Sequence, residues 1–267
     1  MRKNIYDILR TAEIDLRREY DRLYKQFYNE PINTSCKSYR SIADLIAYKF
    51  VLLDKQLIGR CISVEDFNDS HDFYFIENPL EIDIELLISF AEYILTFCLG
   101  LIFSHILTID ELKQLPKNVI SCMEDLGYQR IRKENCIIFV EKNPAAIAAA
   151  EIIESELSYS ILEYNHHRLK GQLTKKRTIL KHMADNIEPK RKELKSINEK
   201  FTSKLFWLLN KFIRHDISEN EQIKKMTDDK LESVYDDIYQ MWLLAILLLD
   251  NAERSKRIDD LIEYINK

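Results

Sequence analysis

The chain has 267 residues, 46% of them hydrophobic and 31% charged, with a formal net charge of −5, which is ample material for a real core. Only four glycines and five prolines occur, leaving little for loops, hairpins or a glycine-rich turn that cradles a nucleotide, so a mainly α fold is expected. Five cysteines, at 36, 61, 98, 122 and 136, form an odd, widely spaced set, and Met1 to Asp7 has no signal-peptide layout; they read as reduced, buried thiols in a cytoplasmic protein.

Residues 5–28 read as a helix with Leu16, Tyr20, Leu23 and Phe27 on one side, stopped before Pro31. Residues 33–38 are a polar loop. Ser41 with Asp44 caps a helix that should run to Gln56. Residues 60–80 read as an irregular connector with a short strand; His71 between Asp69 and Asp72 resembles a metal ligand set, although a solvent loop is the better account. Helices follow over 82–107 and 109–125, the second opening at Thr108 with Glu111 as a capping box. Leu86 to Phe103 is nearly all apolar, but Glu92 near its middle makes a membrane span costly. The better account is a helix buried among others, with Glu92 near its surface or paired, and no membrane partner.

Tyr128–Arg132 and Cys136–Glu141 read as two strands around Glu134 and Asn135. This hairpin resembles the small wing of winged-helix domains, which would suit a module that senses a ligand, a nucleic acid or a partner protein. From Pro144 a long helix, Ala145 to Leu157, leads into a helical bundle beginning near Ser158, so the chain divides into an N-terminal module, 1–150, and a C-terminal bundle, 151–267. Met241 to Leu249 is too short to span a membrane and reads as the last core helix of that bundle.

Within the bundle, Leu194, Ile197, Phe201, Leu205, Leu208 and Phe212 recur at steps of three and four, forming one apolar stripe, and Phe206, Leu209 and Ile213 form a second. A helix with two such sides needs its own bundle and a further cover, often a second copy of the chain. The remaining strip carries Ser203, Trp207, Asn210 and Arg214, with Asn210 and Arg214 one turn apart. Arg214 has the fixed fork and permanent charge that grip phosphate oxygens, and the adjacent His215 has a near-neutral pKa suited to proton transfer. Neighbours on a continuing helix point about 100° apart, so the two address one group only if the helix ends there. The plain structural account is that both are cations complementing a helix C-terminus.

Two stretches in this region resemble the HEPN superfamily, in particular the C-terminal region of AbiJ-like abortive-infection proteins. One is Glu163-Tyr-Asn-His-His-Arg-Leu-Lys-Gly171, followed by Lys175 to Leu180 and Ile187 to Leu194. The other is Asn210-Lys-Phe-Ile-Arg-His215, similar to the Asn-x-x-Ile-Arg-His signature that ends the third helix of that region. Together they cover roughly the last two fifths of the chain. The resemblance implies a HEPN-like bundle that dimerises, and in nuclease members a metal-independent endoribonuclease built from an Arg, a polar residue and a His four to six positions after the Arg. This chain departs from that pattern: Ser218, Glu219 and Asn220 stand where the histidine belongs.

The implied site is Arg214 on the phosphate, Asn210 beside it, and His215 or, as a substitute, His166 as the base. His167, His182 and the Arg214-orienting candidate Asn165 lie on neighbouring predicted helices; each histidine is otherwise an ordinary structural residue. No metal or cofactor signature occurs, since the histidines are adjacent or isolated and no cysteine pair has finger spacing. Charge adds one more clue: residues 163–214 carry a balance of +9 inside an acidic chain, which is either a phosphate-binding footprint or a solvated helix face. The resemblance implies, and the basic stretch permits, anti-phage abortive infection through RNA cleavage by a homodimer, or alternatively a non-catalytic interaction module of a defence or toxin–antitoxin complex.

Overall fold

The computed structural model describes residues 14–34, 37–108, 110–112, 114–133, 136–153, 157–214 and 221–266. It is mainly helical, with 72% helix, 6% strand and two small antiparallel strand pairs, and divides into two compact units, Met1–Glu141 and Lys142–Lys267.

The first unit opens with α1 (Leu16–Tyr24), capped by the Asp15 carboxylate and continued by a π-helical turn over Lys25–Asn29. Tyr20, Leu23 and Phe27 bury its apolar side, as their spacing requires. A two-residue pair, β1 (Ile32–Asn33) with β2 (Ser38–Tyr39), replaces the expected plain loop. Helix α2 (Ile42–Lys49) starts on the Ser41 hydroxyl, which accepts from Asp44 N at 3.0 Å, while the Asp44 carboxylate accepts from Arg40 N. The helix stops at Lys49, short of Gln56, because Phe50–Leu52 tighten into a 3₁₀ turn that buries Phe50, and Asp54 then caps a separate short helix, α3 (Lys55–Ile58).

The expected connector at 60–80 contains a helix, α4 (Val64–His71), nucleated by Ser63 as N-cap with Glu65 and Asp66 in its first turn. His71 is not set among carboxylates as a ligand: its Nδ1 sits 2.8 Å from the Phe67 carbonyl and its ring stacks on Phe67 at 4.4 Å.

Helix α5 (Ile84–Phe103) is the axis of this unit. It is the one helix among the described residues long and apolar enough to cross a membrane, and Leu87, Ile88, Phe90, Ala91, Ile94, Phe97 and Leu101 are fully buried. Glu92 is buried too and accepts a hydrogen bond from Phe139 N at 2.8 Å, the partner a carboxylate needs inside a core. Thr108 and Glu111 do form the expected reciprocal cap, with Thr108 N donating to Glu111 Oε2 at 2.8 Å. The helix nevertheless begins later, as α6 (Leu115–Asp125), with Pro116 in its first turn, where a missing N–H costs nothing. Gly127, at φ +86°, turns the chain into β3 (Tyr128–Lys133), paired antiparallel with β4 (Cys136–Glu141) so that Ile131 faces Ile138. Of the cysteines whose side chains are described, Cys61, Cys98 and Cys122 are free, and burial pushes the Cys98 and Cys122 thiols up to about 12.

In the second unit, α7 (Pro144–Ile152) is capped by Asn143 and ends at Ile152, earlier than Leu157, because Ile153 turns extended. Next come α8 (Leu157–Glu163), a 3₁₀ turn at His167–Leu169, and α9 (Leu173–Ile187). The helix expected to run unbroken through Leu194 and Phe212 is instead α10 (Arg191–Ile197), α11 (Glu199–Leu208) and a π-helical segment, Leu209–Arg214. Asn198 makes the break: its backbone is extended and its side chain caps α11 by accepting from Phe201 N at 3.0 Å. The bend reassigns the stripes. Phe206, Leu209 and Ile213 are buried to 2% exposure or less, whereas Ile197 is exposed and Phe201 and Leu208 only half-buried. The bundle closes with α12 (Glu221–Lys224) and α13 (Asp228–Ile265), whose Trp242, Leu243, Ala245, Ile246 and Leu249 are core.

Candidate functional site

The π-helical segment positions Arg214. Leu209, Phe212 and Ile213 are buried and fix it in the bundle, so Asn210 and Arg214 come to its outer side together. Arg214 Nη1 donates to Asn210 Oδ1 at 3.4 Å, confirming that the two side chains share one place. The same guanidinium reaches across to the end of α9. It donates to a Glu188 carboxylate oxygen and, through Nη2, to the Ala184 carbonyl at 2.9 Å, with Asp185 Oδ1 at 4.0 Å. The Ala184 carbonyl already accepts from Glu188 N and takes the guanidinium on its second lone pair, at the negative end of the helix dipole, which is what draws the cation there.

The exchange is reciprocal: Arg177 of α9 donates Nη2 to the Ile213 carbonyl at 3.1 Å. Arg214 therefore complements the C-terminus of a neighbouring helix, and its fork is filled at rest by a carboxylate. Its side chain keeps 24% exposure, so an anion that reached it would have to compete with Glu188. Lys211 on the same segment, and Lys190 and Lys192, which follow Glu188 in sequence, are exposed.

His215 and the Ser218 to Asn220 stretch lie outside the described residues. His166 belongs to a different place. It is buried, precedes the 3₁₀ turn rather than sitting on a helix, and lines a cavity of about 290 Å³ with Tyr164, His167, Lys176, Asp236 and Tyr239. Lys176 lies near the start of α9 and Ala184, which Arg214 holds, two turns on, on the order of 12 Å along the axis at the usual helical rise. Within one chain, His166 and Arg214 are not brought together. His182 is exposed on α9. Asn165 does not orient Arg214; its amide donates to Tyr239 Oη at 2.7 Å.

The floor of this cavity is a polar network that reading of the sequence missed. Lys176 is buried, with Nζ 2.7 Å from Glu232 and 2.8 Å from Asp236 and facing the Tyr164 ring at 5.1 Å. Tyr164 donates to Asp236 at 2.9 Å and stacks on Tyr239 at 4.1 Å, and Tyr239 donates to the Ile161 carbonyl. Burial, reinforced for Tyr164 by the Asp236 charge, pushes both phenols far up, so both keep their protons to donate, while Tyr239 Oη also accepts from Asn165. Burial also pushes the Glu232 carboxyl up, but hydrogen bonds from Lys176 and from Gly171 N outweigh it and hold it below the ordinary range. The signal was present: Glu232 and Asp236 stand one turn apart beside Tyr235 and Tyr239 on an otherwise apolar helix face. Lys176, by contrast, falls within the basic stretch 163–214, where composition does not separate a buried lysine from an exposed one.

Compared with family models, with curated proteins and with solved structures, the chain has no match.

Proposed function

We propose that the protein is a two-unit anti-phage protein of abortive-infection type, in which a HEPN-like C-terminal unit acts on RNA as a homodimer without a metal. Its N-terminal unit, with its β3–β4 hairpin likened to the wing of winged-helix domains, serves as the sensing or regulatory module that meets a partner protein. The observation that carries the RNA reading is the Asn210–Arg214 pair, mounted on a π-helical segment that is anchored in the core yet leaves the guanidinium accessible. π-Helical turns are rare and frequently occur at functional sites.

In the cleavage step the RNA 2′-oxygen attacks the adjacent phosphorus, a base takes its proton, and the 5′-oxygen leaves with the bonding pair and gains a proton from the protonated base or water, giving a 2′,3′-cyclic phosphate and a 5′-hydroxyl. Arg214 holds the phosphate as charge builds, and the neighbouring His215 is the candidate base. A second reading, a non-catalytic assembly module, is favoured by Glu188 and the Ala184 carbonyl, which already occupy the Arg214 fork.

RNA binding separates the two. The full chain should bind a fluorescein-labelled single-stranded RNA more weakly as salt rises, and Arg214→Ala should lower affinity and reduce the salt slope by about 0.7, the release expected of one phosphate contact on a single strand. An Arg214→Ala protein with the wild-type circular dichroism, affinity and slope would favour the assembly reading.

A further inference from the structure

Helix α13 runs for 38 residues, about 57 Å at the usual rise per residue, and carries two apolar faces. One, with Trp242, Ala245, Ile246 and Leu249, is buried in the bundle. On the opposite face Met241, Leu244, Leu248, Asn251, Ser255, Ile258, Ile262 and Ile265 alternate at steps of three and four, the a and d positions of successive heptads. Met241 and Leu248 are half-buried against the bundle core, but the rest of the seam is left open: Leu244 is 46% exposed, and Ile258, Ile262 and Ile265 are 50–70% exposed. From Glu253 to Asn266 every residue is exposed, and an isolated helix of that length is marginal in water.

We infer that this seam is the self-association surface of the protein, pairing α13 with α13 of a second copy in a parallel two-stranded coiled coil. This names the surface for the homodimer proposed above and rests on that part of the reading. The flanking residues select the occupant and its direction. In a parallel pair, each g position faces the e position five residues further along the partner helix. Here Arg254 falls opposite Asp259 of the second copy, twice by symmetry, and Leu247 falls opposite Ala252. An antiparallel pair would place g beside g and e beside e, so Arg254 would not meet Asp259 across it and the pair would be lost. A two-fold pair is also self-complementary, as an isologous interface must be. In the single chain Arg254 donates to Asp250 at 2.6 Å; that exposed pair is weak enough to give way. Asn251 at a core d position is a polar seam residue of the kind that specifies register and strand number at some cost in stability.

The test is sedimentation velocity of the full chain over a hundredfold range of concentration. The wild type should form a dimer. Ile258→Glu with Ile262→Glu should shift dissociation at least tenfold toward monomer, with any loss of helical circular dichroism confined to the tail and the near-ultraviolet signal of the folded units kept, since both residues are exposed in the single chain. Arg254→Asp and Asp259→Arg should each weaken the dimer, and the two together on one chain should restore it, which a parallel pair alone predicts. A monomer at every concentration, including one whose seam instead binds lipid vesicles, overturns both the seam and the homodimer. A dimer indifferent to these substitutions overturns the seam and leaves the homodimer standing.

Discussion

Trp242→Ala should lower the stability of the C-terminal unit by about 3–5 kcal/mol, the range for removing a fully buried large aromatic side chain. Trp242 has no exposed surface, sits mid-way along α13, and donates its indole N–H to the Met183 carbonyl at 2.6 Å, joining α13 to α9. The deletion would open a cavity and remove that donor from a buried carbonyl. Trp242→Phe keeps much of the volume and loses the hydrogen bond, so it should cost clearly less. Urea unfolding of the full chain, followed by a probe in each unit, reads both; equal midpoints for the wild type and the Trp242→Ala chain would contradict the packing described.

Lys176→Ala should be the next most damaging change, about 2–3 kcal/mol, a little below the range for removing one partner of a buried ion pair. The discount reflects Asp236, whose side chain is half exposed and can recover water. Removal leaves Glu232 and Asp236 facing each other beside Tyr164 with no cation between them. Lys176→Met combined with Glu232→Gln and Asp236→Asn removes the charges together and should restore most of the loss.

The same network makes stability depend on pH. Glu232 has a folded pKa below its unfolded value, so its contribution is present above the unfolded carboxylate pKa and is lost as pH falls through the folded one. Acid titration of stability should therefore flatten in Lys176→Met, which lacks the cation that lowers Glu232.

Much of the fold was legible because caps and apolar spacing are local signals. Ser41 with Asp44, the hairpin from Tyr128 to Glu141 and the burial of Tyr20, Leu23 and Phe27 follow from neighbours in sequence. Two of the misreadings share a cause, a short polar residue that caps a helix where the expected element ran through. Asn198 can continue a helix or cap the next one, and burial of Phe206, Leu209 and Ile213 together selects the cap. Ser63 did the same for α4, turning an expected connector into a helix.

At the site, the closeness of Asn210 and Arg214 follows from their spacing, but the partners of Arg214 do not. Ala184 and Glu188 lie 30 and 26 residues away and meet it only through the packing of α9 against the π-helical segment. For the same reason the separation of His166 from Arg214, and the capture of Asn165 by Tyr239, were not readable from a linear order that places all four in one bundle.

The most direct test of RNA action through Arg214 is expression of the wild type and an Arg214→Ala chain in bacteria at matched levels, with growth followed during phage challenge and total RNA run on a gel. Growth arrest with fragmented RNA in the wild type, abolished in Arg214→Ala at unchanged folding, is the predicted result. Fragmentation that persists in Arg214→Ala, or intact RNA in both strains throughout infection, would contradict it.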